Sequence, residues 1–257
     1  MRGKGDETMT GKNAAEIALL ARLDRVDDAR AKAAFLARLD AADGPVVVSF
    51  LNAHGFNLAL RDPAFYANLV AADYLFRDGI GIAVMLRLLG APTGLNMNGT
   101  DLNPEIIKAC KGRRVALCGT TEPWLGRVAE VVEGWGNPVV LTMDGFQGHA
   151  ATVERLLASD AEVFLLAMGM PRQEAVAAEL AAKLGRPAVI LNGGAIVDFL
   201  AGRFPRAPEA WRKLHIEWLF RLLQEPGRLW RRYILGGVVF LFHGARLRLQ
   251  HGPLKHD

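Results

Sequence analysis

The sequence predicts an α/β fold: an open, mostly parallel, Rossmann-like sheet covered by helices on both faces, with a helical, basic C-terminal appendage. Three observations predict it. Short, wholly apolar runs recur along the chain and end at glycine or a small polar residue. Stretches with helical periodicity alternate with those runs, and cations crowd into the final segment. Apolar runs between amphipathic helices are the pattern of strands buried on both faces. With 257 residues, 51% of them hydrophobic, the chain can bury a core and is no candidate for disorder.

In order, residues Asn13–Ala42 alternate charge with Ala and Leu and contain no Pro or Gly, predicting one or two amphipathic helices. Asp43-Gly44-Pro45 ends them, and the β-branched run Val46–Phe50 reads as a buried strand. Further strands are predicted at Val115–Cys118, Pro138–Met143, Val163–Met168 and Ala188–Leu191, with helices at Glu122–Glu133, Thr152–Ala158 and Gln173–Leu184. The expected organisation is an N-terminal helical extension (1–44), an α/β catalytic core (45–202) and a basic amphipathic appendage (203–257).

Several function classes are excluded. Neither a Gly-x-x-x-x-Gly-Lys-Ser/Thr loop nor a Gly-x-Gly-x-x-Gly turn directly after a strand is found, which disfavours NTPases and nicotinamide enzymes. The segment Asp78-Gly79-Ile80-Gly81-Ile82-Ala83 only half matches the second pattern and lacks a strong strand before it. The histidines are scattered and an Asp-x-Asp pair is missing, so no metal site is expected. Cys110 and Cys118 are too few to staple the chain, and the polar start lacks an apolar leader, predicting a cytoplasmic protein. The longest apolar stretch near the end, Tyr233–Phe242, falls short of the roughly 18 residues of a spanning helix.

Net charge is +4, yet from Arg203 onward eleven cations face four anions. A segment of that kind favours phosphates: nucleic acid, anionic lipid or a diphosphate substrate. In open α/β sheets ligands bind beyond the carboxyl ends of the strands, where backbone N–H groups approach phosphates. Asn52, Gly119, Gly169 and Gly194 stand at such ends. Each also has a structural use, as an Asx turn or a loop glycine. Asp78 precedes Gly79 and Gly81, and is either a turn residue or a reactive carboxylate. Thr100 caps a helix, and Asp101 either caps with it or binds sugar hydroxyls. Gln173 and Glu174 open a helix where N–H groups are free, Gln173 being the better ligand and Glu174 a ligand or a first-turn acid. Asp198 either reaches the nucleotide or caps.

Taken in order, these motifs resemble the WecG/TagA/CpsF glycosyltransferases, bacterial enzymes of surface-polysaccharide and teichoic-acid assembly. The resemblance spans about Val46 to Tyr233. It is carried by Asn52, Asp78-Gly-x-Gly, Gly99-Thr100-Asp101, Gly169-x-Pro171-x-Gln173-Glu174, Asp198, Arg206-Ala207-Pro208, Glu217-Trp218-Leu219-x-Arg221 and Glu225-Pro226-x-Arg228. It implies transfer from a UDP-sugar, often of N-acetylmannosamine type, to a sugar on an undecaprenyl diphosphate carrier at the inner membrane face. It also implies inversion, no metal ion and no cofactor, with Asp78 as the base. The chain departs from many relatives in having Ser49 and Phe50 where a Thr precedes the Asn, and Asn96 where they carry Arg.

An inverting transfer needs a base for the acceptor hydroxyl, and a metal-free one needs cations at the departing diphosphate. Arg206, Arg221, Arg228, Arg231 and Arg232 are the supply, and the last four share one helical face if Pro226 does not break it. The aromatics among them fit a segment lying in the head-group layer of the inner membrane surface, making the protein peripheral there. Alternatively, Leu219–Leu223 and Ile234–Phe242 pack on the core or on a second copy of the chain as a homo-oligomer. Nucleic acid is not an expected partner. The competing classes are a nucleotide-sugar-modifying enzyme and a non-catalytic peripheral membrane protein on the same fold.

Overall fold

A computed structural model describes residues 4–213 and 216–251, and the side chains of 4–12, 212, 213, 228 and 251 are outside the described set. The strands are β1 (Pro45–Leu51), β2 (Tyr74–Arg77), β3 (Val115–Gly119), β4 (Val139–Asp144), β5 (Val163–Leu166) and β6 (Ala188–Asn192). They form one six-stranded sheet in the order β2-β1-β6-β5-β3-β4. Every pairing is parallel, so the expected open α/β sheet is the observed one.

Burial follows the two-residue period of a strand. Val163, Leu165, Val189 and Leu191 enter one apolar cluster, while Phe164, Leu166, Ala188 and Ile190 enter another on the opposite face. Both faces are thus covered, which is why these strands read as continuous apolar runs.

Strand β2 was not expected. It has only four residues, ends in Arg77 and pairs with β1 alone at the sheet edge. Asp78 therefore does follow a strand, directly at its carboxyl end.

The helices are α1 (Lys4–Ala21), α2 (Ala29–Asp40), α3 (Ala53–Ala59), α4 (Pro63–Ala71), α5 (Gly79–Leu88), α6 (Gly99–Ala109), α7 (Trp124–Gly134), α8 (His149–Leu157), α9 (Arg172–Leu184), α10 (Ile196–Leu200), α11 (Glu209–Lys213), α12 (Glu217–Gln224), α13 (Pro226–Trp230) and α14 (Gly236–His251). The N-terminal stretch is two helices. Asp28 starts the second by accepting from the Ala31 N–H at 2.7 Å.

Pro226 does interrupt the basic segment: α12 stops at Gln224, α13 begins at Pro226, and a π-turn over Arg231–Leu235 leads into α14. The expected single arginine face is accordingly not formed.

The first and last described helices meet on the core. Leu19 and Leu20 from α1, and Phe240 and Leu247 from α14, share a buried cluster with Leu51 and Phe56. Phe240 meets the Phe56 ring edge-on at 5.4 Å. Glu16, fully enclosed, accepts from His243 at 2.8 Å and also pairs with Arg246, while Asn13 donates to Gln250 at 2.7 Å. These contacts hold α14 against α3 and α5, over the carboxyl ends of β1 and β2.

Candidate active site

Beneath that cover lies a cavity of about 540 Å³. Its polar wall comes from the loops after β1 and β2 and from the start of α6: Asn52, His54, Asp78, Asn96, Asn98 and Thr100. The opposite wall comes from the C-terminal helices, with Glu217, Trp218 and Arg221 from α12, Arg232, Tyr233 and Ile234 from the π-turn, and Val238 and Leu241 from α14. A wide turn of this kind is often found at functional sites, and here it delivers consecutive residues to the wall.

Asp78 occupies the position before α5 but its side chain makes no capping bond, and it faces the cavity instead. Its backbone N–H is tied to the Leu51 carbonyl at 2.8 Å. Asn52 accepts from the Gly55 N–H at 2.9 Å, which caps α3 and leaves its amide N–H₂ for the hydrogen bond with Asp78. Burial pushes the Asp78 carboxyl above the ordinary carboxylate range, while Arg221, the Asn52 hydrogen bond and Arg232 pull it back. The group is a carboxylate with raised basicity, facing two guanidinium groups.

The glycines after Asp78 serve the fold more directly than expected. Gly79 has φ +78°, a conformation that favours glycine. A Cβ on Gly81 would stand 3.1 Å from the Ala53 Cβ, so its smallness lets α5 and α3 close together. Both nevertheless line the cavity.

The arginines separate. Arg221 lies 4.5 Å from the Phe199 ring centre and lines the cavity, as does Arg232. Arg231 stacks on Trp230 at 5.5 Å away from the lining. Arg206 pairs with Asp101. The expectation for Arg228 lies outside the described residues.

Of the other expected ligands, only Thr100 reaches the cavity lining. Thr100 lines it but does not cap α6; that role belongs to Asn98, whose Oδ1 accepts from the Asp101 N–H at 3.0 Å. Asp198 accepts from the Thr120 hydroxyl at 3.1 Å and pairs with Arg203 at 3.2 Å. A Cβ on Gly119 would be 2.9 Å from that of Ala167, so this glycine answers packing rather than ligand approach.

Gln173, expected as a ligand, is not among the residues lining this cavity. It is buried, and its Oε1 accepts from the Gly169 and Gly194 N–H groups at 3.1 and 3.0 Å. It joins the loops after β5 and β6. Its amide donates to Glu174 at 2.9 Å, and burial pushes that carboxyl up to about 7. Glu174 is likewise enclosed, at 1% exposure.

Sequence reasoning did not single out His54, Asn98 or Tyr233 as cavity residues. Only the position of His54, two residues after Asn52, could have flagged it. Among the described residues no three His, Cys, Asp or Glu side chains converge as a metal site.

Comparison with known proteins adds a family and a relative. The model of the Glycosyl transferase WecG/TagA/CpsF family matches residues 18–253. Over 201 residues the chain is 29% identical to an N-acetylglucosaminyldiphosphoundecaprenol N-acetyl-beta-D-mannosaminyltransferase of Bacillus spizizenii, covering 76% of this chain and 77% of the relative.

Proposed function

The chain belongs to the WecG/TagA/CpsF family of glycosyl transferases, and we propose that it moves a sugar from a UDP-sugar to the sugar of an undecaprenyl-diphosphate-linked acceptor. The sugar moved is of N-acetylmannosamine type, a hexose or a uronic acid. The transfer inverts the anomeric centre and uses neither metal nor other cofactor. The relative from Bacillus spizizenii is named for an acceptor and a transferred group of this chemistry.

The observation that carries the reading is Asp78, a carboxylate of raised basicity on a cavity wall that faces Arg221 and Arg232. In a single displacement the acceptor oxygen bonds to the anomeric carbon as the bond to UDP breaks. The bonding pair leaves on the β-phosphate oxygen, and the hydroxyl proton passes to Asp78. Asn52 orients the carboxylate through its amide. The guanidinium groups supply the positive charge that a departing diphosphate requires.

Membrane attachment is part of the same proposal. No helix among the described residues is long and apolar enough to cross a membrane. Leu235, Val238, Leu241 and Phe242, at 52 to 65% exposure, instead form an apolar surface beside the cavity. Flanked in sequence by Arg231, Arg232 and Arg246, it suits the inner-face head-group layer and brings the cavity to a lipid-linked acceptor.

The test is a donor screen: purified chain, a panel of UDP-sugars and a short polyprenyl-diphosphate-linked N-acetylglucosamine, with and without EDTA. Transfer with inverted configuration, unchanged by EDTA, is expected. No transfer from any UDP-sugar would overturn the reading, and a strict divalent-ion requirement would overturn its metal-free form.

A further inference from the structure

We propose that His54 is a diphosphate contact, its ring N–H donating to a phosphoryl oxygen that lies against Arg232. The inference rests on the transferase reading and deepens it. His54 lines the same cavity as Asp78, Arg221 and Arg232. It stands two residues after Asn52, in the turn that Asn52 anchors through Gly55. Among the described residues its ring has no hydrogen-bond partner within the protein.

The charge around it is unequal. Burial, with the charge of Arg232 adding to it, holds the imidazole neutral, down at about 4, and Arg232 acts on Asp78 as well. Near neutral pH the ring then carries one N–H donor and no charge. A neutral donor beside a guanidinium complements an anion with several acceptor oxygens: Arg232 supplies charge and His54 supplies direction. A second cation at this position would repel the first.

A diphosphate is present in both substrates of the proposed reaction, and the cavity's surroundings favour the lipid-linked one. Ile234, Val238 and Leu241 line the same space and are 47, 65 and 55% exposed. An acceptor whose diphosphate met His54 and Arg232 could run its apolar chain along them.

Calorimetric titration of the full chain with farnesyl diphosphate and, separately, with UDP distinguishes the sources. His54→Ala is expected to weaken farnesyl diphosphate about tenfold, the loss of one hydrogen bond to a charged group. His54→Gln, which keeps an N–H donor, is expected to recover most of that affinity, and UDP binding is expected to be unchanged. The same loss for UDP alone would keep the contact and assign it to the donor's diphosphate. Unchanged binding of both ligands by His54→Ala, in a parent chain that transfers sugar, would overturn the role of His54 and leave the transferase reading standing. Equal weakness of the Gln and Ala variants would overturn N–H donation. A parent chain that binds neither diphosphate and transfers nothing would overturn both.

Discussion

Asp78 and Glu174 are carboxyls that burial makes reluctant to ionise, and the proposed chemistry separates their uses. As a base, Asp78 works only when ionised, so the rate rises with pH through its pKa. Arg221 is the largest favourable charge acting on it. Replacing Arg221 by Gln should therefore move the acid limb of kcat/KM to higher pH, which a pH–rate profile measures, whereas Arg221→Lys should restore much of its position. Glu174 is enclosed, and its titration acts on stability. Its folded pKa, about 7 against an ordinary 4.5, favours the protonated form in the fold. That stabilisation is complete below the unfolded value and is lost as pH rises through about 7. The shift is worth up to roughly 3 kcal/mol. Glu174→Gln should flatten this part of the stability–pH curve, and chemical denaturation between pH 4.5 and 8 should find it more stable than the parent at the upper end.

At the scale of elements, the cavity depends on how α14 is held. Its buried residues Phe240 and Leu247 belong to the core, while Leu235, Phe242 and Leu249 lie on the outside. Removing the whole C-terminal segment would therefore strip the core as well as any lipid contact. The sharper experiment is to replace Leu235 and Phe242, neither of which lines the cavity, by Asp. Liposome binding should fall while the melting temperature stays near that of the parent. The clasp between α1 and α14 can be tested separately. Glu16, 1% exposed, accepts from both His243 and Arg246. Glu16→Gln removes charge-assisted bonds and leaves Arg246 without its anion, which should cost roughly 1.5–3 kcal/mol in a denaturant titration. Sequence reasoning placed neither feature. Pro226 raised the question of a break, but the π-turn that follows it depends on tertiary packing, and the partners Glu16 and Arg246 are 230 residues apart.

Over the whole molecule, legibility followed burial. The strands covered on both faces, such as Val163–Leu166 and the Ala188–Leu191 part of β6, were readable because every one of these positions is apolar. The edge strand Tyr74–Arg77, four residues long and partly open, was not. Asp78, Arg221 and Arg232, which share the cavity lining, could be grouped from the sequence only through the order of motifs, since Asp-Gly alone is a common turn. The structural use of Gln173 was not readable, because the loop N–H groups that its carbonyl satisfies, those of Gly169 and Gly194, come together only in the fold. The molecule that results covers a six-stranded sheet with its first and last described helices and keeps a cavity with one polar wall at the carboxyl ends of β1 and β2.

The central claim is that Asp78 takes the acceptor proton, and the most direct measurement compares turnover and UDP-sugar affinity in Asp78→Asn and Glu217→Gln, the two carboxylates on the cavity wall. Turnover of Asp78→Asn should fall roughly a hundred- to ten-thousand-fold with affinity nearly unchanged, and Glu217→Gln should lose far less. Parental turnover in Asp78→Asn, or collapse only in Glu217→Gln, would contradict the account.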